Sequence, residues 1–374
     1  MIPVLPPEAA GAVVEELAWK SSTCSAFGIG CRLPMVATLP VQLAHADWGS
    51  DRLKRQVATA RLVDGAYVAQ APRPFGSDGS LLERMHLDLA VRGPALLGFD
   101  FPIGVPVAYA RLAGIENFAS WFRTLALDSP FFEVASELEQ VSIAQPFFPK
   151  RIATKTPGIK AQYREALGLS SSDVLRRCEA AHAGRGAASE MFWTLGPKAV
   201  GKATLAGWRD ALRPALAESA HTYALWPFDG PLSDLLSRFD AVIVETYPAD
   251  AYRQLGLRMG LPGTAKTSQE HRRADGPPLL EWCSNAGVVL DAELVHQIED
   301  GFGPSKSGED PFDAVIGLLG MINTIQRTAE PDLPDDATVR HLEGWMFGRP
   351  KSDAAAFVAA RFKASPKAMQ KLRD

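Results

Sequence analysis

Three short apolar runs in this chain each stop at an acid: Val41–Asp47, Ala95–Asp100 and Asp240–Glu245. Each run is long enough for a buried strand and too short for a helix. Asp100 is followed by Pro102, Gly104 and Pro106, which stop any continuation. A carboxylate held at a strand end by a rigid turn faces a crevice more often than bulk solvent. Burying it requires a cation, a donor or a metal nearby. The competing reading is an Asp that merely opens a turn, and the repetition at three strand ends weighs against it.

Taken in order, Val41, Leu43, His45 and Asp47 share one side of the first strand by period two. Lys54–Val63 and Ala66–Ala71 read as two further strands around the hairpin signal Asp64-Gly65, ended by Pro72 and Pro74. Ser80 and Glu83 form a capping box for a helix whose apolar face is Leu81, Leu82, Met85 and Leu89. Gly93-Pro94 then leads into the Asp100 strand. Pro248 opens a helix to about Leu255, and Lys266–Cys283 and Asp291–Asp300 read as further helices, the latter closed by Gly301. Asp310 suits the N-cap and Pro311 the first position of a mostly apolar helix, in which Asp313 is an unexpected acid.

The stretch 101–235 is read as a mainly helical insertion, rich in aromatics, Pro and Gly. Between Val141 and Arg164 it has no Asp or Glu but carries Lys150, Arg151, Lys155, Lys160 and Arg164, a solvated face or a phosphate-facing surface. Gly196–Lys202 nearly matches a phosphate loop, yet Ala203 stands where a metal-binding hydroxyl belongs. Met191–Leu195 could be its strand.

The net charge of −4 argues against a protein that coats nucleic acid without specificity, while leaving room for a local basic groove. The four cysteines are scattered, so no zinc site or disulfide framework is expected and a reducing cytoplasm fits. No signal peptide and no apolar run long enough for a bilayer is evident, so no membrane partner is expected. Residues 1–40 are expected to be a loosely structured extension. Residues 348–374 are expected to be a basic, frayed tail.

Without the insertion, a three-strand meander, a helix, a strand, a helix and a strand place acids at Asp47, Asp100, Glu245, Asp310 and Asp313. If the three acid-ended strands are neighbours, these carboxylates converge, and hard oxygen ligands suit Mg²⁺ or Mn²⁺. Two such ions about 4 Å apart stabilise an in-line phosphoryl displacement. The order resembles the ribonuclease H-like fold. Asp47-Trp48-Gly49-Ser50, Gly98–Gly104, Glu245-Thr246-Tyr247-Pro248 and Asp310–Ala314, with Phe192–Gly196, Val200–Lys202, Trp208 and Glu343–Trp345, look like the domain-of-unknown-function 429 family, predicted nucleases of that fold. The resemblance spans roughly residues 41 to 347.

It implies an α/β fold with a discontinuous core, 41–100 and 236–347, and a metal-dependent nuclease-type site. Asp47 would be the shared metal ligand, Asp100 a ligand for one ion and Asp313 the closing carboxylate, with Glu245 or Asp310 completing the set. Arg151, Lys198 and Lys202 are candidates for holding substrate phosphate. The expected activity is hydrolysis of phosphodiesters in a nucleic acid or a nucleotide. Two alternatives stand beside it: a non-catalytic scaffold that binds nucleic acid or a protein partner, and a phosphotransferase using Gly196–Lys202.

Overall fold

Seven strands form one mixed sheet in the computed structural model, which describes residues 39–151, 157–181, 186–196 and 199–351. The strands are β1 (Gln42–Asp47), β2 (Gln56–Val63), β3 (Ala66–Pro74), β4 (Ala95–Phe99), β5 (Tyr223–Leu225), β6 (Ala241–Glu245) and β7 (Val289–Leu290), in the order β5-β6-β4-β1-β2-β3-β7. β1, β2 and β3 form the expected antiparallel meander. β4 is parallel to β1, and β6 is parallel to β4. β5 and β7 extend the two edges. The architecture is α/β, with helices on both faces.

Period-two alternation divides the buried strand residues between two cores. Ala44 and Ala46, Leu97 and Phe99, and Ile243 belong to one. Leu43, Leu96, Val242 and Val244 belong to the other. The second face is covered by the long helix Glu309–Arg327 and by Gly276–Asn285 and Ala292–Asp300. The first is covered by short helices from the segment 101–217, whose Phe118, Phe122, Phe131 and Trp208 pack in one cluster with β4 residues.

That segment is therefore not set apart from the sheet. Its apolar residues complete one face of the core, and just beyond it β5, missed in the sequence, joins the sheet edge. Other boundaries also move. β3 runs through both prolines to Pro74, because Pro lacks only the donor and β3 bends there beside a register shift. The capping box is present, but its helix is only Leu81–Arg84, and Leu89 is exposed. Lys266–Cys283 is two helices, Gln269–Ala274 and Gly276–Asn285, with the Asp275 carboxylate taking the N–H groups of Arg258 and Met259. Met191–Leu195 makes a single bridge at Trp193, not a strand.

Of the expected N-terminal extension only Leu39 and Pro40 are described, and the tail beyond Lys351 lies outside the described residues. Arg349, expected in a frayed tail, is instead buried and donates to the carbonyls of Cys178 and Ala180. Among the described residues no helix is long and apolar enough to cross a membrane.

Candidate functional site

Asp47 and Asp100 are brought together by strand register. β1 and β4 pair Ala46 with Phe99, so the next residues, Asp47 and Asp100, leave neighbouring parallel strands side by side on the same face. The two carboxyl groups lie within hydrogen-bonding reach of each other. The Trp48 backbone N–H donates to Asp100 Oδ1 at 2.7 Å and fixes that side chain.

Asp313 reaches the same place from the long helix. That helix begins at Glu309 with Gly308 before it, so Asp310 lies in the first turn rather than at the N-cap. Four residues beyond Asp313, Gly317 meets His45, and an added Cβ there would fall about 2.1 Å from the imidazole. Gly98 on β4 is equally constrained, with Met321, Thr246 and His45 around its missing Cβ. The two glycines let the helix lie close against β1 and β4, which carries its first turns over the strand ends. His45 locks this contact: Nδ1 bonds the Ala314 carbonyl at 3.0 Å and Nε2 the Thr246 hydroxyl at 2.8 Å. Burial pushes its pKa down to about 3, so the ring is neutral, with Nδ1 donating and Nε2 accepting.

The electrostatics are those of crowded acids. Burial first, then Asp100, Asp313 and Asp310, raise Asp47 well above the ordinary carboxylate value, against the opposing pull of Lys266. Burial, with Asp313, pushes Asp100 up to about 7 despite the Trp48 N–H. Asp313 and Asp310 are also raised, chiefly by burial. Without added cations, both Asp47 and Asp100 are thus biased toward the protonated form.

Lys266 supplies a cation that the sequence reading missed. Its ammonium bonds Asp313 and lies 3.1 Å from Glu309. Burial alone would lower its pKa, but Asp313, Tyr252 and Glu309 hold it above the usual lysine value. Tyr252 donates to the other Asp313 oxygen at 3.3 Å. The loop is pinned by buried Arg272, which donates to the Lys266 carbonyl and to those of Gly301 and Gly303. No local signal marks Lys266, which comes from a loop between elements.

Glu245 is a correction. β6 pairs it with Phe99, not Asp100, so it leaves the sheet on the opposite face from Asp47 and Asp100. There both its oxygens accept from fully buried Arg176, each at 2.6 Å, and one also takes the Ile103 N–H. Arg176 further holds Glu179 and the carbonyls of Ile103 and Glu343. Glu245 therefore anchors the loop after β4. The third member on the acidic face at this level is Thr246.

The phosphate candidates are not gathered either. Arg151 and Lys202 are exposed and are absent from the charges acting on Asp47, Asp100 and Asp313. Lys198 lies outside the described residues, and Gly201–Gly207 is a short helix without a preceding strand. The cations that act on Asp310 are Lys54 and Lys266.

Among the described residues no group of three or more His, Cys, Asp or Glu side chains is placed to hold a metal ion. The donor types nonetheless suit a hard divalent ion: Asp47, Asp100 and Asp313 offer only carboxylate oxygens, and one of them already binds a cation, the Lys266 ammonium. The chain matches no protein-family model, no curated protein and no solved structure.

Proposed function

We propose that the chain is a Mg²⁺- or Mn²⁺-dependent phosphodiester hydrolase of the ribonuclease H-like kind, related to the domain-of-unknown-function 429 family. The observation that carries this reading is the register pair Asp47 and Asp100 on one face of parallel β1 and β4, with Asp313 delivered above it. The central sheet order β3-β2-β1-β4-β6, an antiparallel meander followed by two parallel strands, supports the scaffold assignment. A cluster of carboxylates this costly is retained where a cation or a reaction compensates for it.

Asp47, central to the set, would hold the metal jointly with Asp100 on one side and Asp313 on the other; Asp310, half-buried in the first helical turn, is the remaining candidate. Bound there, a divalent ion would lower the pKa of an attacking water and offset charge on the phosphoryl oxygens. The chain's own part is to orient. The Trp48 N–H fixes Asp100, His45 and the two glycines fix the helix, and Tyr252 and Lys266 hold Asp313.

One observation favours a second reading, a non-catalytic scaffold. Lys266 neutralises Asp313 and Glu309 from within the chain, which a site without metal would need. Incubating the protein with single- and double-stranded DNA, RNA and cyclic nucleotides, with Mn²⁺ and with chelator, separates the two. Cleavage that requires Mn²⁺ and is lost in Asp47→Asn supports the hydrolase. Absence of cleavage together with no Mn²⁺-induced rise in Tm supports the scaffold.

A further inference from the structure

A second charged group plays no part in holding the acids and lies on the other face of the sheet, with Trp48 and the segment 101–217. Four arginines surround the single carboxylate of Asp210. Arg52 and Arg55 each approach Oδ2 at 3.2 Å, Arg209 approaches Oδ1 at 3.2 Å, and Arg84 donates to the Asp210 carbonyl at 3.1 Å. Asp78 and Glu218 also act on Arg84, but their own bonds go to Ser77 and Tyr223. Three carboxylates, Asp210, Asp78 and Glu218, therefore face four guanidiniums, which leaves a positive excess of one in a chain whose net charge is −4.

The cluster is built rather than incidental. Arg55 has 2 % of its side chain exposed, donates to the Gly49 carbonyl and lies 3.9 Å over the Trp48 ring. Arg84 lies over Phe75, which packs edge-on against Trp48. Arg52 and Arg209 reach outward, their side chains 72 % and 45 % exposed. Exposed Lys54 continues the positive surface toward Asp310.

Two further facts point to a ligand. Trp48, 4 % exposed, has an indole N–H with no hydrogen-bond partner among the described residues. A buried donor without a partner is costly unless something else accepts from it. Along the chain Trp48 follows Asp47, and Lys54, two residues after Arg52, acts on Asp310, so the arginine group and the strand-end acids flank the same end of β1 from opposite faces of the sheet. Guanidiniums arranged around a surplus of charge suit phosphate oxygens, which they bind in forked pairs.

We propose that Arg52, Arg55, Arg84 and Arg209, with the Trp48 indole, form a subsite that holds a backbone phosphate of a polynucleotide at the same end of β1 as the acid cluster. The inference rests on the hydrolase reading for the identity of the substrate and extends it: the substrate is a nucleic acid strand rather than a lone nucleotide, gripped at a phosphate other than the one to be cleaved. Asp210 orients the arginines and keeps them from collapsing apart when the subsite is empty. Arg55 and Arg84 are positioned by their ring contacts, and Arg52 and Arg209 make the outer contact.

The test uses the full chain carrying Arg52→Glu and Arg209→Glu, two outward-reaching side chains, and the neutral pair Arg52→Gln and Arg209→Gln as a milder control. Binding of fluorescent single-stranded DNA, duplex DNA and single-stranded RNA is measured by anisotropy in chelator over a salt series. Hydrolysis of bis(p-nitrophenyl) phosphate with Mn²⁺ is measured in parallel. The expected result is at least about tenfold weaker binding of one or more oligonucleotides by the reversed pair, a smaller loss in the neutral pair, and a log–log salt slope reduced by about 1 to 2. The small diester carries a single phosphate, so its hydrolysis reports on the hydrolase reading separately from the subsite. Unchanged oligonucleotide affinity and slope, or no oligonucleotide binding by the parent, overturns the subsite even if the small diester is hydrolysed. Loss of oligonucleotide binding in the reversed pair, with no hydrolysis by any form, retains the subsite and overturns the hydrolase.

Discussion

Asp100→Asn should stabilise the metal-free protein above neutral pH. Burial and the neighbouring acids push Asp100 from 3.8 up to about 7. At about 1.4 kcal/mol per pH unit, that withdraws up to about 4 kcal/mol from the folded state once the group ionises. The folded chain binds a proton here that the unfolded chain has already released between about pH 4 and pH 7. Stability in chelator must therefore fall as pH rises through that window, and Asp47, itself raised well above the ordinary value, adds to the fall. Asn keeps the oxygen that accepts from Trp48 N–H at 2.7 Å while removing the charge. It also relieves Asp47, whose raised value owes its second-largest cause to Asp100. Urea unfolding in chelator at pH 4, 5.5, 7 and 8 gives the comparison. The variant should match the parent near pH 4, exceed it by a few kcal/mol at pH 8, and show a flatter pH dependence. A variant less stable than the parent by the same amount at every pH would refute the reasoning, because Asp100 would then be a structural acceptor and not a strained acid.

Three further outcomes follow from the same geometry. Mn²⁺ binding should displace protons from the raised acids Asp47 and Asp100, so calorimetric affinity should rise with pH through about 7, by up to about tenfold per pH unit for each proton released. Lys266→Met should lower metal-free stability by leaving Asp313 and Glu309 unpaired, while Mn²⁺ should raise the Tm of this variant more than that of the parent. Glu245→Gln should cost about 3–5 kcal/mol by leaving the buried Arg176 cation short of a partner, while its Mn²⁺-induced rise in Tm stays at the parent value. An abolished Mn²⁺ response in Glu245→Gln at retained stability would return that residue to the site.

The parts of the site legible in the sequence are those carried by local pattern. Asp47 and Asp100 each follow an apolar run bounded by turn residues, and Asp313 is the one acid among the buried residues of a mostly apolar helix. Each departs from its immediate neighbours, which is a signal that needs no partner. The meander is legible for the same reason, since its hairpin turn and strand lengths are local. Lys266 and the arginines around Asp210 carry no such mark. They come from segments distant in sequence, Arg55 and Asp210 being 155 residues apart, and only the folded arrangement brings Lys266 to Asp313 and the arginines to Asp210. The expected phosphate residues stand in a basic run (Arg151) and in a glycine-rich near-match to a phosphate loop (Lys198, Lys202), and either pattern marks solvent exposure as readily as a ligand.

Glu245 shows where local pattern stops being enough. Its run and that of Asp100 are buried on both faces, as parallel strands are, so neither has the apolar–polar alternation that would reveal which side its acid takes. Which side it takes depends on register, and a slip of one residue exchanges the faces. Had Asp100 stood opposite Glu245, three strand-end carboxylates would have met on one side. Phe99 stands there instead, and Glu245 crosses to the face where Arg176 waits. The register is held by contacts on both faces at once. Arg176 ties Glu245 to the loop after β4, and His45 ties Thr246, the next residue along, to the long helix. One residue position thus divides a buried ion pair that secures the scaffold from the acids proposed to act, and the His45 contact with that helix keeps Asp313 over the acidic side.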